Sequence, residues 1–173
     1  MAVNFRRILT PDSMCFELET RLLPDGDLPE DFDPQSPKNL ERVRESVVAE
    51  LCELLATSGQ ISNQSRLFKD LYNREKRTPT AMGDGIAIPH VRTIQARKFV
   101  MAFARSHDGL PFFSTDGEDV HLFFAMVSPP HEDKTYLRIY KSLASALLQD
   151  EHRQAFMEAY SPNEIWEVLE LFR

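Results

Sequence analysis

Thr80-Ala81-Met82-Gly83-Asp84-Gly85-Ile86-Ala87-Ile88-Pro89-His90 is the most informative segment of this chain. Its Gly83-Asp84-Gly85 triplet is typical of a tight turn, because glycine adopts backbone conformations that other residues avoid. Ile86–Ile88 is predicted to form a short strand, since the residue before Pro89 is restricted to extended geometry. The segment therefore places His90 at the end of a strand that is supported by a turn and a proline, where functional residues are often found.

Two apolar runs further along the chain predict the centre of a sheet. Lys98–Ser106 and Val120–Val127 are rich in Phe and Val, the pattern of strands that are buried on both faces. Asp108-Gly109 is predicted to end the first of these strands. Near the start of the chain, the alternation of Met14, Phe16 and Leu18 indicates one more strand.

Helical patterns lie on both sides of these strands. Ser36-Pro37 is a helix-start signal, and the apolar stripe after it, at helical spacing, ends at Ser58-Gly59. The other predicted helices cover about 64–76, 134–149, 150–160 and 161–172. Together these patterns predict an α/β fold: a single three-layer domain over residues 1–173, in which a mixed β-sheet is flanked by helices on both faces.

Composition excludes several classes of function. The 173 residues carry a net charge of −7, which argues against nucleic-acid binding, because such binding needs excess positive charge. No apolar run approaches the roughly 18 residues of a membrane helix, and the first residues lack the apolar stretch of a secretory signal. Cys15 and Cys52 lie in apolar settings and are predicted to be buried, reduced thiols. We therefore expect a cytoplasmic protein without membrane insertion.

Charge is distributed unevenly along the chain. Residues 24–37 contain five acidic residues and four prolines, a composition that predicts an exposed loop inserted into the domain. Between Arg74 and Lys98 there are six basic residues and two acidic ones. A basic segment centred on His90 suits an anion such as a phosphoryl group. The alternative is a solvated basic surface that binds nothing.

Other chemistries have weaker signals. His131-Glu132-Asp133 lacks the spacing of metal ligands, so a metal-dependent hydrolase is a minor alternative and we expect neither a metal nor a cofactor. His121 lies in a strand pattern and is predicted to be structural. The sequence also lacks a phosphate-binding loop, a dinucleotide fingerprint and a Gly-x-Ser-x-Gly elbow.

Asn73-Arg74-Glu75 followed by Thr80 to His90 closely resembles the phosphohistidine signature of enzyme IIA domains of the phosphoenolpyruvate:sugar phosphotransferase system. The similarity is to the mannitol/fructose and nitrogen-regulatory class, known as type 2. Ile8-Leu9-Thr10-Pro11-Asp12 resembles the family's opening strand and turn, and the helical tail resembles its end. Nearly the whole chain is covered, apart from the acidic loop at 24–37.

The resemblance implies that His90 receives a phosphoryl group from the phosphocarrier protein HPr. A neutral imidazole suits this role, because it is a good nucleophile near neutral pH and a good leaving group afterwards. Arg74 matches the family's active-site arginine, which implies that it braces the phosphoryl oxygens. Thr80 matches the signature threonine and is expected to orient the ring or the phosphoryl group. Arg92 is close in sequence but matches no fixed family residue, so it is only a candidate supporting residue.

One position departs from the family pattern. Many active members carry a second histidine at the start of the helix after the Phe-rich strand, and Tyr136 occupies that position here. A tyrosine hydroxyl can donate a hydrogen bond to a phosphoryl oxygen, but it cannot supply the charge of an imidazolium. Two functions therefore stay open. The first is a phosphotransferase component that passes its phosphoryl group to a IIB domain or acts as a regulatory readout on a kinase or transporter. The second is a non-catalytic binding module of the same fold, acting by protein contact.

Overall fold

The centre of the molecule is one mixed sheet. The computed structural model describes residues 3–172, and within that range six strands hydrogen-bond to one another. The long strands β5 and β6 form the antiparallel middle, as the two apolar runs predict. The strands are β1 (Met14–Cys15), β2 (Ala81–Gly83), β3 (Ile86–Ala87), β4 (His90–Arg92), β5 (Val100–Leu110) and β6 (Val120–Ser128).

The strand order is β1-β5-β6-β3-β2, and β4 also pairs with β6. Both β3 and β4 run parallel to β6, and their register is the same: Ile86 lies opposite Leu122, and His90 lies opposite Met126. They are therefore one strand interrupted at Pro89, which has no N–H to donate but whose carbonyl accepts from Met126 N at 2.9 Å. His90 was predicted to lie at the end of its strand, whereas the strand resumes with it.

Helices cover both faces of the sheet, which confirms the predicted three-layer α/β fold. Helices α2 and α3 pack on one face, and α1 together with α4, α5 and α6 packs on the other. None of the helices in residues 3–172 is long and apolar enough to cross a membrane. The helices are α1 (Phe5–Ile8), α2 (Pro37–Ala56), α3 (Gln64–Arg77), α4 (Asp133–Leu147), α5 (Asp150–Glu158) and α6 (Pro162–Glu170), with a 3-10 turn at Pro11–Ser13.

Successive side chains of the central strands β5 and β6 point alternately into two hydrophobic cores, one on each face of the sheet. In β6, Phe123 packs under α2 and α3, whereas Phe124 packs under α4 to α6. In β5, Phe103 points to the same side as Phe124, and Ala102 and Ala104 point to the other. Because successive side chains of a strand point to opposite faces, a continuous apolar run is what a sheet buried on both faces requires.

The start of the chain differs from the prediction. Ile8-Leu9 does not form an opening strand, because Phe5–Ile8 is a single helical turn that Leu9 N closes by donating to Phe5 O at 2.9 Å. This turn buries Phe5 beneath α6. The predicted strand at 14–18 is also shorter, since its parallel pairing with β5 covers only Met14 and Cys15.

Strand β5 is longer than predicted. The prediction that Asp108-Gly109 ends it is wrong, because the strand continues to Leu110 through a shift in its register with β6. Gly109 has a φ of +79°, a conformation that glycine adopts without strain, so the irregularity is absorbed inside the strand.

The acidic segment before α2 is mostly exposed, and it consists of turns and bends with no helix or strand found among residues 24–36. Its end is fastened to the first turn of α2. The Ser36 hydroxyl accepts from Asn39 N, and the Asn39 amide donates to the carbonyls of Pro34 and Leu22 at 2.8 and 2.9 Å. The segment therefore has an anchored end even though it has no regular structure. Its interpretation as an insertion stays a prediction.

Candidate functional site

His90 is held by the backbone of its own strand. Its Nδ1 lies 2.5 Å from the carbonyl oxygen of Ile88. A carbonyl only accepts hydrogen bonds, so Nδ1 carries the proton and Nε2 carries the lone pair. His90 begins β4 opposite Met126, and its half-buried side chain points toward α4. The fold thus presents one defined ring nitrogen, Nε2, as an acceptor.

Arg74 approaches this nitrogen from the layer formed by α2 and α3, on the face of the sheet opposite α4. It lies in the last turn of α3, where one guanidinium nitrogen donates to the carbonyl of Thr78 at 2.8 Å. The second guanidinium nitrogen lies 3.1 Å from Nε2 of His90 and donates to its lone pair. The site therefore sits at the edge of the sheet where the two helical layers meet.

The surroundings of His90 keep its ring neutral. Burial lowers the pKa of His90 below its ordinary value, and the nearby positive charge of Arg74 lowers it further. The hydrogen bond to Ile88 acts in the opposite direction and raises this pKa, but it does not offset the burial. Near neutral pH Nε2 is therefore unprotonated, and its lone pair accepts the hydrogen bond from Arg74.

Thr80 forms hydrogen bonds that connect α3 to the backbone leading to His90. Its hydroxyl donates to one oxygen of the buried Glu75 carboxylate at 2.7 Å, and its N–H donates to the other at 2.8 Å. Its carbonyl accepts from Ile88 N at 3.2 Å, and Ile88 is the residue whose own carbonyl fixes the ring. Burial raises the pKa of Glu75 although the two bonds from Thr80 lower it. These bonds join the end of α3 to the strand that carries His90.

Two tyrosines from α4 pack against the ring. The ring centroids of Tyr136 and Tyr140 lie 5.8 and 5.0 Å from that of His90. Tyr136 is only 8% exposed, and burial raises its pKa to about 12. Its position beside His90 agrees with the alignment on the family's second histidine. Sequence reasoning assigned no role to Tyr140, although it lies one turn after Tyr136 on the same face of α4.

Arg92 is not brought to the ring of His90. Its guanidinium forms an ion pair with Asp133 at the start of α4 and lies 5.9 Å from the centre of the Tyr136 ring. Lys76, another basic residue of this segment, lies over the ring of Tyr72. Within residues 3–172, Arg74 is the only basic side chain of that segment for which a hydrogen bond to His90 was found. Local charge along the sequence therefore overestimated the positive charge at the site.

The remaining candidates lie elsewhere. His131 is exposed in the loop before α4. His121 Nδ1 lies 3.1 Å from the carbonyls of both Ser106 and His107, a structural contact. No cluster of three or more potential metal ligands was found in residues 3–172. Both cysteines are free, but the prediction that both are buried holds only for Cys52, since Cys15 is partly exposed on the short edge strand β1.

The features that can be compared with known protein families are the mixed sheet between two helical layers and the neutral histidine at the edge of that sheet. Residues 39–171 match the family described as phosphoenolpyruvate-dependent sugar phosphotransferase system, EIIA 2, and the chain belongs to this family. The match begins after the acidic segment at 24–37 and includes every residue of the site.

Two relatives illustrate the range of the family. The fructose-specific EIIABC component of Bacillus subtilis is 31% identical over 132 residues, which are 76% of this chain and 21% of that protein. The chain therefore spans about a fifth of this relative's length. The nitrogen regulatory protein of Bradyrhizobium diazoefficiens is 30% identical over 123 residues, 70% of this chain and 80% of that protein.

The fold is also that of a solved structure. The nitrogen regulatory protein IIA-Ntr from Neisseria meningitidis aligns with a TM-score of 0.75 over 94% of this chain and 96% of that chain. Sequence identity over this alignment is 24%, so the likeness concerns the fold. It extends over nearly all of the chain.

Proposed function

We propose that this protein accepts a phosphoryl group on Nε2 of His90 from the phosphocarrier protein HPr. The observation that carries the proposal is the arrangement of the ring: Nδ1 is held as a donor to Ile88 O, and Nε2 faces the guanidinium of Arg74. A cytoplasmic location belongs to the same proposal, since the donor has to reach His90.

The transfer step is a consequence of this arrangement. The Nε2 lone pair attacks phosphorus, a bond from nitrogen to phosphorus forms, and the bond from phosphorus to the donor breaks, with its electron pair leaving on the donor. The Nδ1 proton stays on the ring, where Ile88 O stabilises the positive charge that develops. Arg74 gives up its contact with Nε2 and donates to the phosphoryl oxygens instead, which suits a guanidinium because it offers several donors in one plane.

Onward use of the phosphoryl group belongs to the same proposal. The fructose-specific relative supports transfer to a IIB domain, and the nitrogen regulatory relative supports a regulatory output on a partner such as a kinase or transporter. Tyr136 favours the regulatory output, because a neutral phenol does not supply the positive charge of an imidazolium. A purely non-catalytic binding module remains the second candidate, and it predicts that His90 never becomes phosphorylated.

Intact-mass spectrometry tests the proposal. After incubation with phosphoenolpyruvate, enzyme I and HPr, we expect a single acid-labile phosphoryl adduct on the wild type and none on His90→Ala. Arg74→Ala should slow formation of the adduct about a hundredfold, the usual cost of removing one charge-stabilising donor. His131→Ala is the matched control, because this exposed histidine lies outside the site, and it should react like the wild type. An adduct that persists in His90→Ala contradicts the proposal, as does a wild type that stays unmodified.

A further inference from the structure

Two aromatic rings pack against the imidazole of His90. Tyr140 is tilted by 57° and Tyr136 by 55° to the imidazole, and both centroid distances lie in the contact range of aromatic pairs. Because residues four apart lie on one face of a helix, α4 presents both phenol rings together. Arg74 comes from the opposite helical layer. The imidazole is therefore covered by aromatic carbon on the α4 side and by a guanidinium at Nε2.

Neither tyrosine hydroxyl is committed to another group. In the part of the chain that the structure describes, no hydrogen bond was found for the hydroxyl of Tyr136 or of Tyr140. Elsewhere in the protein, the Tyr72 hydroxyl bonds to Glu41. The contact of Tyr136 and Tyr140 with His90 is thus made by their rings, which cover part of the imidazole with aromatic carbon.

We infer that Tyr140, together with Tyr136, shields the phosphorylated ring of His90 from water and makes the phosphorylated form long-lived. This inference rests on the proposed function and specifies how that state is kept. Loss of the phosphoryl group by hydrolysis needs a water oxygen to attack phosphorus while the bond from phosphorus to Nε2 breaks. The electron pair returns to Nε2, and inorganic phosphate leaves with the water oxygen. The attacking water enters opposite the breaking bond, and aromatic carbon on the α4 side reduces the solvent-filled space around the phosphoryl group through which water reaches that position.

The identity of the residue at position 136 should also slow hydrolysis of the phosphorylated ring. A histidine there would be neutral for part of the time near pH 7, and its free ring nitrogen could accept the proton of an attacking water. Tyr136 has no such nitrogen, and its hydroxyl is protonated near pH 7, since even the ordinary pKa of tyrosine lies well above 7 and burial raises the pKa of Tyr136 to about 12. The site therefore lacks a base at this position, and the phosphoryl group is held for an incoming protein acceptor.

The lifetime of the adduct tests the inference directly. The wild type, Tyr140→Leu, Tyr140→Phe and the control Leu137→Ala are each phosphorylated with phosphoramidate, whose phosphorus–nitrogen bond breaks with loss of ammonia. After desalting, intact mass tracks the loss of the adduct. We expect Tyr140→Leu to shorten the half-life about threefold or more, a modest change in barrier height. Tyr140→Phe should keep the wild-type half-life, because it keeps the ring. Leu137 is 51% exposed on the same helix, and its replacement should change nothing.

A second measurement separates shielding from a general loss of structure. Since burial is the main cause of the lowered pKa of His90, Tyr140→Leu should raise that pKa toward its ordinary value in an NMR titration, while thermal unfolding stays cooperative. Equal half-lives for the wild type and a folded Tyr140→Leu would overturn the inference. A Tyr140→Phe adduct as short-lived as that of the Leu variant would also overturn it, because the hydroxyl would then be the active group.

The two proposals fail in different ways. If phosphoramidate labels His90 but HPr does not, the proposed function is wrong, and the half-lives still decide the shielding. If neither reagent labels His90, both proposals are wrong.

Discussion

At the scale of single residues, the contact between His90 Nδ1 and the carbonyl of Ile88 has the largest chemical consequence. It selects one tautomer and leaves the lone pair on Nε2, the nucleophile of the proposed transfer, and in that transfer it would stabilise the positive charge on the substituted ring. The residues involved lie two apart in one strand, so the ring is oriented without help from a second side chain. Arg74 then adds the charge that a phosphoryl group requires.

The protonation of His90 predicts the pH dependence of phosphorylation. Its pKa lies below the ordinary 6.5, so the reactive neutral ring is already dominant at that pH. We expect the initial rate to reach half of its plateau at a pH below 6.5 and to fall at lower pH, as Nε2 binds a proton. Rates with phosphoramidate, compared with an NMR titration of His90, check this. A rate that still rises severalfold above pH 7 would contradict it.

The sequence predicted some of the side chains that surround His90. His90, Arg74 and Tyr136 were identified from the family pattern, and the structure brings these three together. Arg92 was a candidate because of its position two residues after His90, but it pairs with Asp133. Tyr140 carried no pattern of its own, because an aromatic residue on an apolar helical face is usually a core residue.

At the scale of elements, the junction between α3 and β2 determines where Arg74 and His90 meet. The buried Glu75 carboxylate receives two hydrogen bonds from Thr80, and Thr80 O receives one from Ile88 N. The first two bonds join Thr80 to the last turns of α3, and the third joins Thr80 to the backbone that leads to His90. Thr80 therefore influences the chemistry through the backbone geometry that it holds.

Thr80→Val tests the role of this junction. The substitution keeps the shape of the side chain but removes the donor to a buried carboxylate oxygen, which should lower the free energy of unfolding by about 1–3 kcal/mol. Phosphorylation of His90 should slow in parallel, since Arg74 lies beside Glu75 in the same helical turn. Urea unfolding and phosphorylation rates measure the two effects. Thr80→Ser, which keeps the hydroxyl, is the matched control, and equal stability of the Val and Ser variants would contradict the prediction.

The interruption at Pro89 was only partly visible in the sequence. Proline predicted the end of a strand, since it removes a backbone donor. The structure continues the pairing, because the Pro89 carbonyl still accepts from Met126 N and the register with β6 is the same on both sides. Whether a strand ends or resumes at a proline depends on its partner strand, and the partner is distant in sequence.

At the scale of the whole molecule, two separate cores hold the site between them. The larger aromatic side chains lie on the side of α4 to α6, where Phe124 packs against Phe103 at 5.3 Å and Phe156 at 5.0 Å between ring centroids. The side under α2 and α3 uses alanines from β5. Because Tyr136 and Tyr140 belong to α4, the aromatic core also sets the position of the shield over His90.

Phe124→Ala tests the importance of that core. Removing a fully buried ring should cost about 3–5 kcal/mol, a large part of the stability of an ordinary domain. Urea unfolding measures this cost, with Leu148→Ala as the control, because Leu148 is 65% exposed. A change below about 1 kcal/mol for Phe124→Ala would contradict the assignment of this residue to the core.

The sequence by itself determined the α/β class, the three layers and most helix boundaries, and it singled out His90 as the candidate site residue. These features depend on hydrophobic periodicity, capping residues and a contiguous signature, and each of these signals lies within one short segment of the sequence. The tautomer of His90 and the hydrogen bonds of Thr80 are local, but they depend on backbone geometry that residue types do not specify. Only the tertiary structure decided that Arg92 pairs with Asp133 and that Tyr140 lies against His90, because packing of the helical layers on the sheet brings these remote segments together.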